Sequence, residues 1–250
     1  MWKKLKRARK TLRNLVRYGE SDPREFFIFE DKRLVYLVLS KVACTSIKTA
    51  IGRSYGIDSA RDMDIHTSRH WKRMRGRIGK EHEEYYKFAF VRNPFDRLVS
   101  CYRDKVIYRG PDEVYRRPYF DKYLFDIPAN ISFAEFVRRI VRIPDYLADR
   151  HFKSQYSSLY RKGRPLVDYV GKFEHLARDW ERLATRYGFE TSLARKHVSS
   201  TKKGVRSDYR EYYSAELAAL VYERYKDDVE AFGYEQAYAE LLEYCRKTSL

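Results

Sequence analysis

Three short strand-forming segments, each followed by a helix-forming stretch, constrain this 250-residue chain more than any other feature. Leu34-Val-Tyr-Leu-Val-Leu39 is continuous and rich in β-branched and aromatic residues, the composition of a strand buried on both faces. Lys87–Val91 is a second buried-strand candidate, and Val167–Phe173 is a third strand candidate. Helices are predicted behind them over Ile47–Tyr55, Phe95–Arg103 and Leu176–Tyr187, with Pro94 beside the first turn of the second and Gly188 stopping the third. Strand, loop and helix repeated three times predict an α/β fold with a central parallel sheet flanked by helices. Ser214 is placed to cap one further long helix, with Leu217, Leu220, Val221, Tyr225 and Val229 on one face and its end near Phe232-Gly233. The stretch from Ile107 to Leu147, rich in Tyr, Arg and Pro, reads as an elaboration of the core.

The chain carries 52 Lys and Arg against 35 Asp and Glu, a net charge of +17, so its company is polyanionic. Residues 1–17 hold eight positive side chains and no acidic one. Trp2, Leu5, Ala8, Leu12, Leu15 and Val16 recur there at helical spacing. Such a basic amphipathic helix either lies on an anionic membrane surface or docks its stripe on the domain behind it. Gly19-Glu-Ser-Asp-Pro23 breaks the helix, which divides the chain into a helix and linker, 1–24, and a domain, 25–250. The first twenty residues lack the apolar core of a secretory signal, and no apolar run approaches the roughly 20 residues of a membrane span. Three widely spaced cysteines give neither a disulfide framework nor a zinc spacing. The expected location is the cytoplasm, with peripheral contact at the membrane face through residues 1–17.

Two segments carry chemistry. The first strand delivers Ser40-Lys41-Val42-Ala43-Cys44-Thr45-Ser46 into a helix N-terminus, where backbone N–H groups, the helix dipole, a lysine and two hydroxyls make a phosphate cradle. It is not a Walker A loop, and Thr45-Ser46 also reads as an ordinary helix cap. The second, Phe88-Ala-Phe-Val-Arg92-Asn-Pro-Phe-Asp-Arg97-Leu-Val-Ser100, puts Arg92 at a strand end and Ser100 on the next helix. A guanidinium there binds phosphate bidentately, and a hydroxyl adds a second bond. Arg97 and Asp104 read as surface charges or an internal pair.

KVACTS after a strand, followed some fifty residues on by KFAFVRNPFDRLVSCYRDK, resembles the carbohydrate O-sulfotransferases of the chondroitin and dermatan 4-O type and their anchorless bacterial relatives. Val167–Trp180 and His197–Glu235 resemble later parts of that family, which has Pro where this chain has Ser40 and often Trp where it has Ile47. The resemblance implies a P-loop-like, three-layer sulfotransferase fold. It also implies 3′-phosphoadenosine 5′-phosphosulfate (PAPS) as sulfuryl donor, its product 3′-phosphoadenosine 5′-phosphate (PAP), and no metal. Lys41, Val42, Ala43, Cys44, Thr45 and Ser46 would hold the 5′ side, with Lys41 also catalytic, and Arg92 and Ser100 the 3′-phosphate. Lys202-Lys203-Gly204 resembles the basic loop that closes over the nucleotide in sulfotransferases generally.

The acceptor hydroxyl needs a base that titrates near neutrality, and histidine fits. His66 lies between the two cofactor segments, where relatives such as the heparan 2-O-sulfotransferases keep a similar base; His151, in Arg150–Gln155, resembles an acceptor-side segment. His70, His82 and His175 read as surface residues, and His197 as packing beside the nucleotide loop. Arginines and lysines interleaved with tyrosines from Tyr115 to Arg164 suit an acidic glycan, or form only a solvated basic face. Two other classes remain open at this point. A phosphoryl-transfer enzyme needs magnesium ligands and a Walker-type loop that the chain lacks. A non-enzymatic polyanion-binding module fits the charge, although no nucleic-acid module is present and no nucleic-acid partner is expected.

Overall fold

The computed structural model describes residues 2–57 (side chains from Ala8), 71–107, 120, 127–193 and 208–248. Along the chain run α1 (Trp2–Tyr18), β1 (Glu25–Phe29), β2 (Leu34–Val38), α2 (Cys44–Ser54), β3 (Lys72–Arg75), β4 (Tyr86–Val91) and α3 (Pro94–Lys105). Then follow α4 (Phe133–Ile140), α5 (Gln155–Leu159), β5 (Tyr160–Arg161), β6 (Arg164–Pro165), β7 (Tyr169–Lys172), α6 (Leu176–Tyr187), α7 (Ala215–Arg224), α8 (Lys226–Phe232) and α9 (Glu235–Thr248). The chain divides into two compact units. One comprises Arg24–Arg92 and Ser158–Val198; the other comprises Met1–Pro23, Asn93–Ser157 and Ser199–Leu250, so the N-terminal helix groups with later segments.

The first unit is built on a five-stranded sheet in the order β3-β1-β2-β4-β7. The three strands expected from sequence are its parallel part: β2 pairs β4 and β4 pairs β7. The sheet is nonetheless mixed, because β1 and β3 extend it antiparallel. Tyr36 and Phe88, opposite each other in the register, stack with ring centroids 4.7 Å apart. Such aromatic pairs add about 0.5–1.5 kcal/mol beyond the area they bury. Gly171 lies against the Phe90 ring, at a distance where a side chain would force the ring aside. The strand edge β3 carries Lys72, Arg73 and Arg75, charges that blunt an exposed edge.

The second unit is helical. Asn93 caps α3 by accepting from the Phe95 N–H, and Pro94 takes the first helical position. Phe95 stacks on Tyr238, and the Tyr213 hydroxyl donates to the Phe95 carbonyl. Ser132 and Glu135 form a capping box at α4. The long helix predicted after Ser214 is capped there, but it is broken into α7 and α8 at Tyr225, whose φ of −121° and ψ of 26° leave the helical region. Burial explains the break: Tyr225 is 2% exposed and its hydroxyl donates to the Phe152 carbonyl. The predicted helix start at Ile47 moves to Cys44, with consequences for the loop before it.

Candidate active site

In the first unit, β2 ends at Val38 and α2 begins at Cys44, leaving Ser40–Ala43 to turn the chain. Val42 is fully buried and anchors the loop. The residues on either side of it, Lys41 and Ala43, have φ of 68° and 60°, in the left-handed region that non-glycine residues avoid. Each costs on the order of 1–2 kcal/mol. Left-handed residues interspersed with ordinary ones are one way a backbone forms an anion-binding concavity. Ala43 is the N-cap of α2 and supplies no side-chain bond to the first turn. Thr45 and Ser46 lie inside that turn, which removes the reading of them as an ordinary cap. Helix-start amides, Lys41 and the two hydroxyl residues thus belong to one loop and first turn.

Arg92 follows the last residue of β4 and is 6% exposed. Its Nη1 donates to the Lys41 carbonyl at 3.1 Å, and its guanidinium lies 4.2 Å over the Phe173 ring. Parallel pairing sets this up, because Val91 faces Lys172 and Phe173 follows directly. The two sequence motifs thus meet, through a bond from one to the backbone of the other. Lys48, one turn into α2, is buried with Nζ 4.2 Å over the Phe27 ring. Sequence reading passed over it because a lysine at a helix position resembles a solvated one.

The second unit holds the other candidates. Ser100 is half-buried on α3. Arg97 is internal, but its partners are the carbonyls of Lys153 (2.8 Å) and Arg150 (2.9 Å), while Asp104 pairs with Lys105. Those carbonyls bracket His151. Its Nδ1 lies 2.6 Å from Oδ1 of Asp149, a carboxylate 1% exposed that also accepts the His151 N–H at 2.9 Å. A carboxylate on Nδ1 fixes the tautomer and leaves Nε2 as the basic nitrogen. Asp149 went unnoticed because it lies just ahead of the segment that the histidine marked. Arg150 is held by Asp22 in a half-buried pair and Lys153 by Glu20 in a buried one, so these two cations are paired rather than part of an open basic face. His82 is also buried, not superficial, with Nε2 2.8 Å from Glu30.

Lys41, Val42, Ala43, Cys44, Thr45, Ser46 and Arg92 therefore share one unit, and Ser100 and His151 belong to the other. His66, Lys202, Lys203 and Gly204 lie outside the described residues, as do His70, His197 and the tyrosines and arginines from Tyr115 to Tyr119. Among the described residues no helix is long and apolar enough to cross a membrane, and no group of three or more acidic, histidine or cysteine side chains could hold a metal ion.

The geometry is thus a strained loop feeding an uncapped helix and bonded to an arginine at the end of the neighbouring parallel strand. The model of the Sulfotransferase family matches residues 24–235, and the chain belongs to that family. It is a sulfotransferase, and its mixed sheet with flanking helices is consistent with the family's fold. Carbohydrate sulfotransferase 11 of Rattus norvegicus is 28% identical over 241 residues, covering 86% of this chain and 68% of its own length. Carbohydrate sulfotransferase 12 of Mus musculus is 27% identical, over 83% of this chain and 59% of its own. Carbohydrate sulfotransferase 8 of Homo sapiens is 28% identical, over 86% and 56%. No solved structure matches. Membership removes the phosphoryl-transfer and non-enzymatic readings.

Proposed function

We propose that this enzyme moves a sulfuryl group from PAPS to a hydroxyl of a carbohydrate, with an acidic glycan as the preferred acceptor. The observation that carries the reading is the Lys41–Ala43 loop, strained, opening on an uncapped α2 and bonded through the Lys41 carbonyl to Arg92. The names of the relatives support the carbohydrate, and the net charge of +17 supports an acidic one. Transfer makes an S–O bond to the acceptor and breaks the one to the 5′-phosphate, which gains negative charge. Amides of α2 and the Lys41 ammonium stabilise that charge without reorganising, usually the largest catalytic contribution. Arg92 takes the 3′-phosphate, with Ser100 the second donor that the family resemblance assigns. The reaction itself needs no metal. Transfer of labelled sulfate from PAPS to a panel of acidic and neutral glycans, read by mass, tests the reading; labelling of no glycan would overturn it.

His151 is the described histidine equipped to accept the hydroxyl proton, with Asp149 as its positioning residue. His151→Ala is expected to lower kcat by about 100-fold or more and to abolish the acid limb of the pH–rate profile. Asp149→Asn should lower kcat less and shift that limb. If His151→Ala stays active while His66→Ala does not, the base is His66.

A further inference from the structure

The segment that follows α1 is fastened rather than loose. Ser21 bonds the carbonyls of Tyr146 and Leu147, at 2.7 Å from its N–H and 2.8 Å from its hydroxyl, and Glu20 and Asp22 hold Lys153 and Arg150. The helix is thereby presented in one orientation. Its inward side carries Asn14, 8% exposed, whose amide donates to the Ser21 carbonyl at 2.8 Å. Leu12 and Val16, one turn apart, point the other way and are 63% and 82% exposed. Large hydrophobics this open are rare among the described residues; the remaining example is Tyr146. Around the pair stand Arg9, Lys10, Arg13 and Arg17, all exposed. Leu12 and Val16 of the apolar stripe are thus turned to solvent, while Leu15 between them is half-buried.

We propose that α1 is a docking surface for an anionic lipid bilayer. The occupant is chosen by chemistry. A second copy of the chain would set eight positive charges against eight, since residues 1–17 carry no acidic side chain. An acidic polymer would satisfy the cations and leave Leu12 and Val16 in water. A bilayer with anionic headgroups satisfies both: the apolar pair enters the headgroup–acyl boundary while the flanking cations meet phosphates. The helix lies in the plane of the surface, since it is too polar to cross.

The test is co-sedimentation of the full chain with vesicles of phosphatidylcholine alone or mixed with phosphatidylglycerol. Binding is expected to the mixed vesicles only, and to weaken steeply with salt. The triple variant Arg9→Gln, Arg13→Gln, Arg17→Gln should lower the affinity by about 100-fold, near fivefold per charge. Leu12→Ser with Val16→Ser should lower it about tenfold or more. All five side chains are exposed, so the thermal midpoint stays at the wild-type value and loss of binding cannot be loss of fold. Equal binding to both vesicles, or binding that either variant leaves intact, overturns the proposal. So does a wild-type dimer that Leu12→Ser with Val16→Ser dissociates, which would make the occupant a second copy.

Discussion

Asp228→Ala is expected to lower unfolding free energy by about 3–5 kcal/mol, the largest stability effect of any single substitution considered for this chain. Asp228 is fully buried on α8. Its Oδ1 accepts the Ser154 hydroxyl at 2.6 Å and the Tyr156 N–H at 2.8 Å; its Oδ2 accepts the Gln155 N–H at 2.9 Å. Gln155 and Tyr156 open α5, and the first N–H groups of a helix have no partner within it. One carboxylate therefore caps a helix 73 residues away in sequence. Alanine would strand four donors, the Gln155 side-chain amide at 3.3 Å included. Asparagine in place of Asp228 keeps one acceptor and turns an NH₂ toward the Gln155 donors, so Asp228→Asn should cost roughly half as much. Burial pushes the Asp228 carboxyl above its ordinary range, against the pull of its hydrogen bonds. A raised folded-state value means that the native state binds the proton more tightly than the unfolded one. The stability due to this group is then fully present below the unfolded value of about 3.9 and falls as pH rises through the folded one. Wild type should therefore exceed Asp228→Asn by more near pH 4 than near pH 7 in urea unfolding. An alanine variant within 1 kcal/mol of wild type, or a gap that widens with pH, would refute this account.

What the sequence disclosed and what it hid follow from the range of the forces involved. Leu34–Leu39 and Lys87–Val91 were legible as strands because burial on both faces leaves an unbroken apolar run, a local signature. The helix over Leu176–Tyr187 was legible because Gly188, at φ of 65°, writes its end into the chain. β3 was not: Lys72-Arg-Met-Arg75 has no apolar alternation and is a strand through its pairing with β1. The first position of β1, Glu25, is 8% exposed and held by Arg73 at 3.1 Å, an ion pair that no periodicity announces. The site divides in the same way. Loop and arginine could be named from their neighbours in sequence, but the bond from Arg92 to the Lys41 carbonyl spans 51 residues. The left-handed backbone at Lys41 and Ala43 was hidden too, because no glycine marks it. Arg97 read as either a surface charge or half of an internal pair, because the two carbonyls that hold it come from more than fifty residues away.

Arg92→Ala is expected to weaken PAP binding by about 100-fold or more, since a guanidinium–phosphate contact is charge-assisted and its fork matches two phosphate oxygens. Arg92→Lys should recover only part of that loss, because an ammonium keeps the charge without the fork. Phe173→Leu, which removes the ring under the guanidinium, should cost about 1 kcal/mol, or about fivefold in Kd. The comparison that decides the role of Arg92 is calorimetry of PAP beside the same nucleotide without its 3′-phosphate. Arg92 also holds the Lys41 carbonyl, so its removal loosens the strained loop and some loss on the 5′ side is expected for both ligands. If Arg92 holds the 3′-phosphate, the loss for PAP exceeds that for its truncated analogue by about tenfold or more. Equal losses would show that Arg92 acts through the loop alone, and the 3′-phosphate would have to be assigned to other residues.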